Sequence, residues 1–122
     1  MKNRRVLVTG SSGFIGSHVA DALEGQGFNV VLFDIVPSKY KTNTQEEIIG
    51  DILNPDDVTK AVKECGAIYH FAAQADIGVS SDSPTATIST NIIGTQNVLE
   101  AAIKHKVNRV LFASTIYVYS EL

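Results

Sequence analysis

Three evenly spaced glycines, Gly10, Gly13 and Gly16, sit between the apolar run RVLVT, from Arg5 to Thr9, and a stretch with helical periodicity. That pattern suits a phosphate cradle. Gly10 permits the tight turn, Gly13 lets backbone approach a pyrophosphate, and Gly16 lets the helix pack closely on the sheet. Free N–H groups at the helix start then face the anion. Asp34 ends the next apolar run, 18 residues after Gly16. That is close to the roughly 20-residue offset at which an acid meets a ribose 2′-hydroxyl. An acid there also repels a 2′-phosphate, so the pattern favours NAD over NADP. The alternatives are a glycine-rich turn without a ligand and a solvated strand-end acid; the two features together favour the dinucleotide. Lys39 and Lys41 follow in a polar loop and read as a solvated face.

These residues need a scaffold that brings them to one edge. Short apolar runs alternate with longer helical patterns along the chain, which indicates a parallel sheet. Strands are expected at Arg5 to Thr9, Val30 to Phe33, Glu47 to Ile49, Ala67 to Phe71 and Arg109 to Ser114. Between them, Ile15, Val19, Ala22 and Leu23 recur at helical spacing. Asn54-Pro55-Asp56-Asp57 reads as a helix start: a cap, a proline in the first turn, then acids near the positive end of the dipole. Val58, Ala61, Val62 and Cys65 form that helix's buried stripe, which makes Cys65 a core residue. A single long helix is expected from about Pro84 to Lys106, with Ile88, Ile92, Leu99 and Ile103 on one face and Ile93 and Ala101 outside it. The fold class is therefore α/β, a doubly wound parallel sheet of Rossmann type, ending after a fifth strand, with expected order 3-2-1-4-5. On such sheets ligands bind beyond the carboxyl ends of the strands. Gly10, Asp34, Asp51, Phe71 to Ala73 and Ser114-Thr115 all fall there.

Composition narrows the remaining classes. The chain has 122 residues, 44% hydrophobic and 19% charged, with net charge −3. That is globular composition, one domain over residues 1–122, with no basic footprint for nucleic acid or a membrane surface. One cysteine excludes an internal disulfide framework, and three scattered histidines, His18, His70 and His105, give no metal site. His70 lies inside a strand and is expected to be packed rather than catalytic. The charged opening MKNRR is followed by too short an apolar run for a signal peptide. A cytoplasmic location is expected.

With the glycine loop and strand ends in place, the sequence resembles the extended short-chain dehydrogenase/reductases, in particular the NAD-dependent nucleotide-sugar epimerases and dehydratases. TGSSGFIGSHVADAL is similar to that family's TGxxGFIGSxLxxxL opening, which adds Phe14 and Ile15 to the cofactor loop. GDILNPDDV resembles its strand-three end, where the resemblance implies that Asp51 bonds the adenine amine and Ile52 covers the ring. HFAAQADIGVSSDSP resembles its H-x-A-A segment, with Phe71, Ala72, Ala73 and Ala75 lying along the cofactor. TNIIGTQNVLEAA is similar to its central helix, which puts Thr90 and Asn91 near the nicotinamide ribose and the catalytic group. VLFASTIYVYS resembles the segment with the catalytic serine or threonine, which falls on Thr115, with Ser114 beside it. Thr115 in place of serine and Ser120 in place of the common glycine are departures.

The resemblance implies a first step in which hydride leaves a sugar carbon for NAD⁺ while a tyrosinate takes the hydroxyl proton. The family's Tyr-x-x-x-Lys pair is not present in these 122 residues. They are therefore read as the front part of such an enzyme, without turnover of their own, with the substrate domain outside them. Dehydratases of the family carry Asp-Glu after the threonine, and decarboxylating members a Glu two residues after it. Ile116 and Tyr117 stand there instead, which favours epimerisation of a nucleotide sugar; the resemblance also implies a homodimer, formed through the helix from about Pro84 to Lys106. A dehydratase or reductase of the family and a non-catalytic dinucleotide-binding module are the alternatives. A flavodoxin-like domain shares the strand order but leaves the glycine spacing and Asp34 unexplained.

Overall fold

The structure, a computed structural model, describes residues 4–119. Met1 to Asn3, the start of the charged opening, and Ser120 to Leu122 lie outside them. Five strands form the sheet: β1 (Arg5–Thr9), β2 (Asn29–Asp34), β3 (Glu46–Ile49), β4 (Ala67–His70) and β5 (Arg109–Phe112). Their order is β3-β2-β1-β4-β5, and every pair is parallel. The middles of β1, Val6 to Val8, and of β2, Val30 to Phe33, are apolar without a break because both faces are covered. Leu7, Val31, Phe33 and Ile68 pack under Val58, Ala61 and Val62 of one helix and Val98, Ala101 and Ala102 of another. Val6, Val8, Val30, Leu32 and Ala67 face the opposite way, onto Ala20 and Leu23 of the first helix. Burying each such Val, Leu or Ile side chain stabilises the fold by about 1.5–3 kcal/mol, which fixes the strand register and hence the strand ends.

α1 (Phe14–Gly25) buries Gly16, Ser17, Ala20 and Leu23. The expected stripe is displaced: Ile15 and Ala22 face outward, since the helix approaches the sheet through its smallest residues. α2 (Pro55–Val62) starts as its sequence dictates. The Asn54 side chain accepts from the Asp56 N–H at 3.0 Å, Pro55 occupies the first turn, and Asp56 and Asp57 follow. Val58, Ala61, Val62 and Cys65 are buried, and burial pushes the Cys65 thiol up to about 11.

The region after β4 departs from expectation. A short helix, α3 (Ile77–Asp82), capped by the Asp76 side chain, precedes α4 (Pro84–Ile88). A π-helical segment, Ser89–Gly94, then leads into α5 (Thr95–Lys104). Helical backbone dihedrals run through both joints, so the long helix exists but contains a π-bulge. The expected apolar face looks outward: Ile88, Ile92, Leu99 and Ile103 are 55%, 59%, 45% and 78% exposed. Gly94, Val98, Ala101 and Ala102 face the core instead. β5 ends at Phe112, two residues earlier than expected, so Ser114 and Thr115 lie in the segment beyond it.

Candidate functional site

The carboxyl ends of the strands open onto a cleft of about 1010 Å³. Every candidate residue from the sequence contributes to its walls: Gly10, Gly13, Phe14, Ile15 and Gly16 from the first turn, and Asp34 from β2. Asp51 and Ile52 follow β3, and Phe71, Ala72, Ala73 and Ala75 follow β4. Thr90 and Asn91 come from the π segment, and Ser114 and Thr115 from beyond β5.

The glycine turn is shaped by three different constraints. Gly10 has φ +67°, and a Cβ there would lie 2.6 Å from the Ala72 nitrogen. At Gly16 a Cβ would collide with the Gly10 carbonyl oxygen. Close packing at this position is therefore against the loop itself rather than the sheet. Gly13 differs from both. Its backbone is ordinary (φ −80°, ψ 173°), and an added Cβ would meet the Gly10 oxygen alone, at 3.3 Å. The backbone conformation does not demand glycine there, though the Gly10 carbonyl would have to give by a few tenths of an ångström; a ligand passing close to the backbone would demand it. Gly13 also caps α1 without any side-chain hydrogen bond. The first-turn N–H groups of a helix have no intrahelical acceptors, and the positive end of its dipole favours an anion. The open Cβ direction and the uncapped helix start fit a pyrophosphate.

Asp34 is held by the same loop. Its carboxylate accepts from the Ser12 N–H at 2.9 Å and the Val36 N–H at 3.4 Å, while the Ser12 hydroxyl donates to the Val36 carbonyl at 2.8 Å. A fixed carboxylate with further lone pairs can accept from a diol. Asp51 accepts from the Leu53 N–H at 2.9 Å through one oxygen. Ile52 is almost wholly buried, pressed so closely on the helix that a Cβ at Gly94 would come within 2.5 Å of its Cδ1. The Asn97 side-chain amide donates to the Ile52 carbonyl at 2.8 Å. Leu53, which the sequence reading passed over, lines the cleft beside it and is more exposed.

At the other end, the Asn91 side chain brackets the Gln74 backbone. It accepts from the Gln74 N–H at 2.7 Å and donates to the Gln74 carbonyl at 3.1 Å. Thr115 is exposed on the cleft wall, as is Ser114. His70 is packed, as its place in a strand suggested, and burial lowers its pKa. It bonds Thr9 and Thr95, side chains 61 and 25 residues away. Sequence spacing gave no signal for either partner. Among the described residues no cluster of His, Cys, Asp or Glu could hold a metal, and no helix is long and apolar enough to cross a membrane.

Known proteins share this arrangement. The chain is 32% identical to a UDP-glucose 4-epimerase of Pisum sativum, over 98% of this chain and 39% of that protein. It is 35% identical to a UDP-N-acetyl-alpha-D-glucosaminuronate decarboxylase of Bacillus cytotoxicus, over 97% of this chain and 38% of that protein. The chain thus spans well under half the length of these relatives. A UDP-glucose 4-epimerase of Thermus thermophilus, solved in complex with NAD, superposes with a TM-score of 0.86 at 34% identity, over 91% of this chain and 37% of that one. The model of one family matches residues 6–122. Matched over nearly its whole length, the chain belongs to the NAD dependent epimerase/dehydratase family.

Proposed function

We propose that this chain is the cofactor-binding part of an NAD-dependent nucleotide-sugar epimerase. The observation that carries the reading is Gly13, whose backbone conformation does not require glycine and whose exposed place at the helix start a pyrophosphate would approach. Gly10, Gly13, Phe14, Ile15 and Gly16 would hold the pyrophosphate. Asp34 would accept from the adenosine ribose, and Asp51 and Ile52 would flank the adenine. Phe71, Ala72, Ala73, Ala75, Thr90, Asn91 and Ser114 would line the nicotinamide half. When bound, NAD⁺ accepts and returns a hydride at one sugar carbon.

Thr115 is the catalytic residue of this reading. Its hydroxyl hydrogen-bonds the reacting sugar hydroxyl and orients it. It is not the base, because an unperturbed alcohol stays protonated at neutral pH. That proton falls to the tyrosine of a Tyr-x-x-x-Lys pair, which the 122 residues do not contain. These residues on their own therefore bind NAD and turn over no sugar nucleotide. NAD titration, followed by epimerisation assays with UDP-, GDP- and dTDP-sugars, tests both statements. Absence of NAD binding overturns the first, and turnover that vanishes in Thr115→Val overturns the second.

Ile116 and Tyr117, where elimination or decarboxylation would need carboxyl groups, support epimerisation. The similarity to a decarboxylase supports a second reading, a decarboxylase of the same family. Carbon dioxide release from a UDP-uronic acid by a protein containing this segment would favour it. The outward apolar row Ile88, Ile92, Leu99 and Ile103 supports a homodimer, because a row of large apolar side chains at helical spacing on a soluble protein suits a second helix.

A further inference from the structure

We propose that His70, held neutral with its proton on Nε2, is the positioning residue that fixes segment 71–75 against the cofactor. This rests on the reading that the cleft binds NAD. Hydrogen-bond accounting assigns the ring. The Thr95 hydroxyl donates to the Asn91 carbonyl at 2.7 Å, so its single proton is used. Toward the His70 Nε2, 3.0 Å away, Thr95 can only accept, and Nε2 carries hydrogen. On the other side Thr9 Oγ1 lies 2.6 Å from Nδ1. That oxygen already accepts the Ala72 N–H at 3.2 Å and shares the Phe71 N–H, at 3.2 Å, with the Thr9 carbonyl at 3.1 Å. Its proton therefore goes to Nδ1, which must be the bare acceptor. A ring protonated on Nδ1 would aim a donor at an oxygen that already faces two N–H groups, and would turn the Thr9 proton away from its partner. That conflict opposes the other tautomer and the imidazolium alike.

The consequence lies at the cleft wall. Segment 71–75 is fastened at one end by Thr9, through Phe71 and Ala72, and at the other by Asn91, through Gln74. The His70 ring joins the two fasteners through Thr95. The π segment brings Asn91 and Thr95 to this side of the helix together. Clearance is small on the first side, since Ala72 passes Gly10 too closely for a Cβ. A turn of the ring would shift the wall along which NAD would lie.

The test uses this chain with 15N-labelled histidine. Long-range proton–nitrogen spectra are expected to show His70 with hydrogen on Nε2 and a bare Nδ1; the opposite tautomer overturns the proposal without any variant. Thr95→Val keeps the shape but removes the acceptor, whereas Thr95→Ser retains the hydroxyl. NAD affinity is expected to fall about tenfold in Thr95→Val, the loss of about one hydrogen bond. It is expected to stay at the wild-type value in Thr95→Ser. If wild type binds NAD and both variants bind it equally well, or both equally poorly, His70 does not position the wall and the cofactor reading stands. If wild type binds no NAD, the cofactor reading falls and the positioning role falls with it.

Discussion

Gly13→Val separates binding from folding more cleanly than any other change in the loop. The Gly13 backbone, at φ −80° and ψ 173°, accepts any side chain, and the nearest atom to an added Cβ is the Gly10 oxygen at 3.3 Å. A valine at a helix cap in place of glycine costs about 0.5–2 kcal/mol of stability, including the small shift it asks of the Gly10 carbonyl. Its methyl groups, however, would occupy the approach to the first-turn N–H groups. Losing one hydrogen bond to a charged phosphate costs about 1.5–3 kcal/mol, or roughly 10- to 100-fold in NAD affinity. Gly10→Ala inverts the pattern. The left-handed conformation, with φ +67° here, costs an alanine about 1–2 kcal/mol. The added Cβ would also sit 2.6 Å from the Ala72 nitrogen. Melting curves and calorimetric NAD titrations on both variants are the assay. Gly13→Val is expected to melt near wild type and bind poorly, and Gly10→Ala to melt early. A folded Gly13→Val with undiminished affinity refutes the pyrophosphate assignment.

Asp34→Ala removes both the ribose acceptor and the charge that repels a 2′-phosphate. The ratio of NAD to NADP affinity is expected to fall about tenfold or more, and an unchanged ratio would show that another group reads the ribose. Burial keeps the His70 pKa below 6.5 in the fold, so the unfolded chain takes up that proton first. The His70 contribution is full above about pH 6.5 and is lost as pH falls from there through the lower folded value. Melting temperatures between about pH 8 and pH 5, paired with the ring's own nitrogen titration, check this. A ring that titrates above 6.5 would contradict it. Ile103→Lys places a charge in the outward apolar row, where Ile103 is 78% exposed. Light scattering is expected to show a dimer for wild type and a monomer for the variant; a monomeric wild type at high concentration rules the interface out.

What the sequence disclosed depended on how local the cause was. β1 and β2 are legible because both faces of each are buried, leaving continuous apolar runs. The start of α2 is legible because cap, proline and acids are adjacent in the chain. The long helix resisted for two reasons. A π-bulge adds a residue to one turn without any punctuation in the sequence, so a uniform helical period does not reveal the one at Ser89–Gly94. The packed face is then built from Gly94, Val98, Ala101 and Ala102, while the large aliphatics face outward. Ranking positions by hydrophobicity puts that helix inside out. α1 repeats the lesson at smaller scale, with Gly16, Ser17 and Ala20 inward and Ile15 at the cleft. In both helices small residues mark where backbone comes close to backbone or to a core side chain, as Gly16 does at Gly10 and Gly94 at Ile52. Large exposed residues lie at the cleft, for Phe14 and Ile15, and on the outer face, for Ile88, Ile92, Leu99 and Ile103. The His70 network lay further out of reach, since its bonds join Thr9, His70 and Thr95 across separate elements. A strand histidine reads as core from sequence alone. Its packing confirms that, yet the same packing assigns the proton to one nitrogen and ties together the two ends of segment 71–75 at the cleft.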